Sequence, residues 1–419
     1  MEATSSDPSL LVQSLILAAS THDLPAVRSL LLTVPAKVRD PETGITPLHA
    51  CIASFESSTP ATPSTPSNPP NGTSDGVNSH TYRKEELEDA AEIVRLLFRN
   101  GAIWNELDGK GETPGCVARR LGLEEIYGMV VEAGVRAELL FSRLGEYQVL
   151  AGGESEEEEE DDDEEYGGIN GGVEEDARSP QDGQLATDNT ADVNSADYLR
   201  SGLTFTEDKL LDDESNGVMM AWEKDIMQRT AELILPAPNL RVLNVGHGMG
   251  IIDTIFQEKN PASHHIIEAH PSVLDQMRRE NWHDKPGVVI HEGRWQDVVP
   301  ILVDSNTMFD AIYFDTFAED YTALKDFFSE YVIGLLDPAG GSDGNGGVFA
   351  FFNGLGADRQ VCYDVYGKIS EMDLFQAGFD TEWETIDIPD LDRTGEWDGV
   401  RRRYWTLSKY KLPTCRFIG

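Results

Sequence analysis

Residues 154–165 hold eleven carboxylates interrupted only by Ser155. Like charges at that density repel, and the run offers nothing apolar to bury, so it cannot join a core. Gly, Asn, Asp and Ser dominate the stretch after it, so a disordered linker is expected over 151–195, with a docking strip for a basic partner as the second reading. The chain is thereby divided, as its 419 residues suggest, into two domains and connecting material. Hydrophobic residues make up 40%, enough for packed cores. Against 33 Lys and Arg stand 75 Asp and Glu, a formal net charge of -42. That balance argues against a direct nucleic-acid binder, which needs a basic surface to displace counterions, and points to a positively charged partner. No run of ~18 apolar residues is present, so no membrane span is expected. The four cysteines are scattered and never form a CxxC pair, so neither a disulfide framework nor a metal site is expected. Residues 1–8 lack the basic start of a signal peptide, and a reducing intracellular compartment is the expectation.

Residues 1–150 read as helical and repetitive. Leu10, Leu11, Leu15, Ile16 and Leu17 form one apolar stripe, and Ala26, Val27, Leu30, Leu31 and Leu32 another. Gly44-Ile45-Thr46-Pro47-Leu48-His49-Ala50 then resembles the ankyrin signature, in which Thr-Pro starts a helix and the His bonds local backbone. A decayed copy stands at Gly111-Glu112-Thr113-Pro114, behind a helical stretch at 90–99. An all-α ankyrin-like domain is implied, with a disordered insert at about 54–80, where Ser, Thr, Pro and Asn prevail.

From 196 to 419 the texture is α/β. Strands are expected at 241–245, 264–268, 288–291, 309–314 and 348–352, with helices at 251–258, 272–281 and 323–336 between them. Two further strands, 381–388 and 403–409, lack a helix between them and predict an antiparallel hairpin at the sheet edge, with Arg401-Arg402-Arg403 beside it. Such a finish belongs to the class I (Rossmann-like) methyltransferase sheet rather than to the ordinary dinucleotide fold. The first βα turn, Val245-Gly246-His247-Gly248-Met249-Gly250-Ile251, brings backbone close to a ligand. Glu268, 22 residues after Gly246, is placed for ribose hydroxyls, which fits a nicotinamide dinucleotide and S-adenosylmethionine equally. Trp295 suits either an adenine face or the core, with Gln296 at the adenine rim. Asp315 ends the fourth strand at the ligand edge of the sheet. Residues 217–227, rich in Met and Trp, read in isolation as a helical packing face.

Taken together, VMMAWE, GHGMGIID, IIEAH, EGRWQD and YFDTF are similar in order and spacing to the guanidinoacetate methyltransferase lineage. With FFNGLGADRQVCYDVY at 351–366, they most resemble its fungal relatives, the protein arginine N-methyltransferase 2 family, which methylates the δ-nitrogen of arginine (type IV). The resemblance implies that Phe205 and Met219 cover S-adenosylmethionine and that Gly246, His247, Gly248, Met249, Gly250 and Ile251 cradle its methionine part. Glu268, Ala269 and His270 would hold the ribose, Trp295 and Gln296 the adenine, and Asp315 would lie beside the sulfonium. Glu223 and Asp315 match the two acids that grip the guanidinium. His247 stands where the family pattern has Phe, and Phe205 where Tyr is usual. The resemblance also implies a basic protein substrate, a ribosomal protein, and a cytoplasmic and nuclear location; a monomer is the default expectation. Two carboxylates would draw the cationic charge of arginine to its terminal nitrogens and free the δ-nitrogen lone pair. A small-molecule guanidino methyltransferase and a cofactor-holding scaffold are the alternatives.

Overall fold

The computed structural model describes residues 8–58, 82–151, 195–342 and 344–419, with only the backbone at 8, 57–58 and 144–151. The expected linker, apart from its end residues Ala151 and Ser195, which are helical, and most of the expected insert lie outside those residues. The described residues fall into two compact units, one within Met1–Asn189 and one within Thr190–Gly419.

The first unit is helical: α1 (Pro8–Ser20), α2 (Leu24–Leu30), α3 (Pro47–Ala53), α4 (Lys84–Arg99), α5 (Pro114–Arg120) and α6 (Glu124–Ala151). The two Thr-Pro pairs do the same work. The hydroxyl of Thr46 accepts the His49 N–H at 3.3 Å and that of Thr113 accepts the Cys116 N–H at 3.2 Å, each satisfying a free donor at a helix start. Proline follows at the first helical position, where its missing N–H costs nothing. His49 ties the two copies together. Its Nδ1 accepts from Thr46 while its Nε2 donates to the Glu112 carbonyl at 3.0 Å, and burial holds its pKa down, in keeping with a neutral ring. Residues 54–58, expected within a disordered insert, form a 3-10 turn that continues α3, because the Phe55 ring is buried against His22 and Tyr82.

The second unit begins with a short helix, α7 (Ser195–Tyr198), and a small antiparallel sheet of β1 (Thr204–Phe205), β2 (Lys209–Leu211) and β3 (Gly217–Met220). Part of the stretch read as a helical face is therefore strand. Only after a 3-10 turn at Ala221–Glu223 does the chain enter α8 (Lys224–Ile234). The main sheet comes next, with β4 (Arg241–Val245), α9 (Ile251–Glu258), β5 (Ser263–Glu268), α10 (Pro271–Arg279), β6 (Val288–Glu292), α11 (Trp295–Asp304) and β7 (Ala311–Phe314). A helical stretch succeeds it, α12 (Tyr321–Asp326) and α13 (Ile333–Leu335) joined by a π-helical segment at Phe327–Val332. The chain closes with β8 (Val348–Phe351), α14 (Gln360–Gln376), β9 (Phe379–Asp387), α15 (Leu391–Thr394) and β10 (Lys409–Phe417).

Strand order is β6-β5-β4-β7-β8-β10-β9, parallel except that β10 runs antiparallel to both of its neighbours. Alternation along the central strands loads both faces. Leu243, Ile312, Phe314 and Phe349 enter one core, and Val242, Tyr313, Val348 and Ala350 the other. The reversed final pair was legible, but its second strand was not. Residues 403–408 are a loop, with Arg401 on Asn216 and Glu214 and Arg403 on Asp392, and the strand starts at Lys409. Pro413 disguises it, since proline avoids regular ladders; β8 meets β10 in register only at Cys415 and Phe349.

Gly246 sits where β4 leaves the sheet, with φ of +95° and its N–H on the Ile267 carbonyl at 2.9 Å. A β-carbon there would lie 1.9 Å from the Asp315 carbonyl oxygen, a backbone atom just past the end of β7 whose residue is tied to β4 through its N–H on the Val245 carbonyl. Gly246→Ala is therefore expected to destabilise the second unit by roughly 3 kcal/mol or more in urea unfolding, and an effect below about 1 kcal/mol would show that the turn relaxes.

Candidate active site

One cavity opens at the carboxyl ends of β4, β5 and β7, the edge where open α/β sheets bind ligands. Glu223 and Asp315 both line it, brought there from different sheets. Glu223 is delivered by the turn between β3 and α8 and is 3% exposed. Its Oε1 accepts the Met220 N–H at 3.2 Å and the Tyr404 hydroxyl proton, so protein donors converge on one oxygen and leave Oε2 for an incoming donor. Asp315 follows β7, its N–H on the Val245 carbonyl at 2.9 Å, and its Oδ2 is buried with no partner among the described residues. Burial and the nearby Asp315 push the Glu223 carboxyl well above its usual range, against the Tyr404 and Met220 donors. Burial and Asp253 push Asp315 up likewise. A buried acid and a half-buried one that resist ionisation together make a cavity suited to a cation with several N–H donors.

Beside this pair stands Glu268, 6% exposed at the end of β5. Its Oε2 accepts the His247 N–H at 2.9 Å, and its Oε1 the His270 N–H at 2.7 Å. Backbone donors thus aim the carboxylate, whose remaining lone pairs suit a pair of vicinal hydroxyls. Gln296 also lines the cavity, and its Oε1 is a second buried acceptor with no partner among the described residues. A vicinal-diol acceptor, an orphaned amide oxygen and an orphaned carboxylate oxygen fit a nucleoside carrying a positive charge.

Of the residues singled out in the sequence, Glu223, Asp315, Met219, Gly246, Gly248, Glu268, Ala269, Trp295 and Gln296 line the cavity together. Six others do not. Phe205 packs partly buried among Leu203, Leu210 and their neighbours. Met249 and Ile251 turn to the apolar layer beneath, and Gly250 is the left-handed residue that starts α9. His270 caps α10, its Nδ1 accepting from Ser272 and its Nε2 donating to the Tyr198 carbonyl. His247 points away from the cavity, its Nδ1 2.6 Å from Asp253 Oδ2, while His264 holds Asp253 Oδ1 at 2.8 Å. Burial would raise the Asp253 carboxyl, but the two imidazoles hold it at about 2. A histidine at 247 is thus a prop under the loop, kept off the ligand by its carboxylate. Trp295 combines both readings. It lines the cavity, yet its ring packs edge-on against Phe327 and Phe314, at centroid distances of 5.4 and 5.9 Å.

Tyr404, Tyr198 and Glu319 also line the cavity and carried no signal in the sequence. Tyr404 meets Glu223 across 181 residues of chain, a separation no periodicity reports.

A reversed strand lying inside the final pair, and a cleft where a charged nucleoside fits, define a class I methyltransferase, the class that draws its methyl group from S-adenosylmethionine. Residues 196–397 match the family described as Guanidinoacetate N-methyltransferase. The chain is 51% identical to a protein of Aspergillus fumigatus named Protein arginine N-methyltransferase 2, over 99% of this chain and 98% of that one. A Neurospora crassa protein of the same name is 43% identical over 97% and 96%. Among solved structures, the O-methyltransferase TomG of Streptomyces achromogenes is 14% identical over 48% of this chain and 82% of that one, with a TM-score of 0.33. The chain belongs to the protein arginine N-methyltransferase 2 family.

The raised acids have a cost that depends on pH. Their folded forms hold protons above the pH at which the unfolded forms release them, so stability falls as pH rises from the ordinary carboxylate range toward neutrality. The ligand-free melting temperature should fall less steeply across that window in Glu223→Gln/Asp315→Asn than in the wild type; equal slopes would mean that neither acid is raised.

Proposed function

We propose that the chain transfers a methyl group from S-adenosylmethionine to the δ-nitrogen of an arginine in a protein, giving N5-methylarginine (type IV activity). The observation that carries this reading is the pair of acids, buried Glu223 and half-buried Asp315 with its Oδ2 enclosed, facing one cavity beside the cofactor cleft. When bound, S-adenosylmethionine supplies an electrophilic methyl group on a sulfonium. The chain's residues do the rest. Glu268 and Ala269 hold the ribose, Gln296 and Trp295 the adenine, Gly246 and Gly248 give backbone access to the methionine part, and Met219 covers it. Glu223 and Asp315 take the guanidinium by charge-assisted hydrogen bonds, and the cation in turn favours both acids as carboxylates. Charge would thereby be drawn to the terminal nitrogens, leaving the δ-nitrogen with a lone pair to take the methyl group, as the carbon–sulfur bond breaks and its electrons go to the departing neutral thioether. One of the two acids accepts the proton released. Tyr404 holds Glu223 in place through its hydroxyl.

The acid excess suits a basic protein substrate, and a ribosomal protein is the one we propose. In the first unit, the paired Thr-Pro helix starts and the shared His49 contact support an ankyrin-like module that would recruit it. Cytoplasm and nucleus are the proposed locations. Among the described residues no helix is long and apolar enough to cross a membrane.

Mass spectrometry of a basic ribosomal-protein fraction, after incubation with the enzyme and isotopically labelled S-adenosylmethionine, tests the reading. Label on the δ-nitrogen of arginine is expected; transfer only to free guanidinoacetate would place the chain with the small-molecule enzymes. Glu223→Gln and Asp315→Asn should each lower kcat/KM by about 10²–10³-fold while cofactor still binds, as removing an electrostatic partner of a reacting group does. Near-normal turnover in both would refute the clamp. Tyr404→Phe removes a donor that favours ionised Glu223, so the acidic limb of its pH–rate profile should move to higher pH, with kcat/KM down about tenfold.

A further inference from the structure

Glu319 follows β7 by five residues and belongs to none of the motifs above. It lines the cofactor cavity half-buried, beside the side chains assigned to adenine. The Trp295 indole N–H donates to it, at 2.9 Å from Oε2 and 3.1 Å from Oε1. The Gln296 amide nitrogen donates to Oε1 at 2.9 Å. An ionised carboxylate only accepts hydrogen bonds, so it fixes which end of the Gln296 amide turns toward it. The NH2 must face Glu319, and Oε1 must face away. That oxygen is the buried acceptor without a partner among the described residues.

We infer that Glu319 is a positioning residue that sets the purine specificity of the cleft. By locking the Gln296 amide with its oxygen toward the ligand, it selects a purine bearing an amino group at position 6 over one bearing an oxo group. The inference rests on the cofactor reading above and deepens it: Gln296 reads the base, and Glu319 decides what Gln296 reads. A buried acceptor left without a donor is costly, so a 6-oxo purine, which presents another acceptor there, is rejected.

Glu319→Gln has a sharper consequence than loss of a contact. The indole N–H can only donate, so it claims the carbonyl oxygen of the new amide. At the Oε1 position that oxygen accepts from both Trp295 and Gln296 and the Gln296 amide stays as it is, whereas at the Oε2 position it serves Trp295 alone, the new NH2 faces Gln296, and that amide turns over. With both arrangements open, the preference should weaken, a change of ratio that mere structural damage does not produce.

The test is calorimetric titration of the full chain with S-adenosylhomocysteine and with S-inosylhomocysteine, for wild type, Glu319→Gln, Glu319→Ala and Glu268→Gln. Wild type should prefer the adenosyl ligand by about tenfold or more. In Glu319→Gln the adenosyl-to-inosyl affinity ratio should fall below the wild-type value. In Glu319→Ala, where nothing orients the amide, the ratio should shrink toward unity. A ratio unchanged in both Glu319 variants, whether or not both ligands weaken, overturns the proposal. Glu268→Gln separates the two levels of inference. If it weakens both ligands equally while the Glu319 variants keep the wild-type ratio, only the specificity proposal falls. If wild type binds neither ligand, the cofactor reading falls and takes this proposal with it.

Discussion

The second unit is organised around one unfavourable juxtaposition, a buried and a half-buried acid facing the same cavity with too few donors to satisfy them. Left alone, Glu223 and Asp315 are held above their ordinary titration range by burial and by neighbouring negative charge. A fold tolerates this only where the surroundings over-determine the geometry. Here they do. Glu223 is fixed by a backbone donor from β3 and a phenol from a distant loop, and Asp315 continues a fully buried strand. The site is thus built as a deficit of positive charge, with a rigid sheet keeping the acids from relaxing apart.

Beneath the glycine turn, a second carboxylate shows the opposite treatment. Asp253 is as deeply buried, yet His247, His264 and Asn244 all bond it, and it remains ionised. Gln257 bonds the far nitrogen of His264. The saturated acid props the turn from below, whereas the unsaturated ones face the cavity. The comparison separates support from chemistry by counting donors per oxygen rather than by residue type.

The parallel strands were legible because alternation and run length register burial on both faces, and expected and observed boundaries of β4, β5 and β6 differ by at most a residue. Asp315 was legible at the end of its strand, but Glu223 was reachable only through motif resemblance, since its delivery depends on a small sheet that no periodicity announced. The β3 stretch, Gly217–Met220, is four residues long, too short for a period of 2 to stand out from a helical Met and Trp pattern. His247 and His270 were drawn toward the ligand by their place in motifs. Spacing locates a residue on the chain but says nothing about which way its ring turns, and that was settled by Asp253 and by the start of α10. Tyr404 and Glu319 were out of reach for the same reason, as both act through contacts with side chains far away in sequence.

The order of the last strands also bears on how the protein is made. β10 is synthesised after β9 yet lies between β9 and β8. The nine residues of β9 are therefore joined to the rest of the sheet only through β10. Until residues 409–417 appear, β8 has an open flank and β9 is an unpaired strand, the kind of surface that invites contact with other chains. The loop that brings Tyr404 onto Glu223 is made in the same late interval. Closing the sheet and seating Tyr404 on Glu223 therefore both wait on the segment that follows β9.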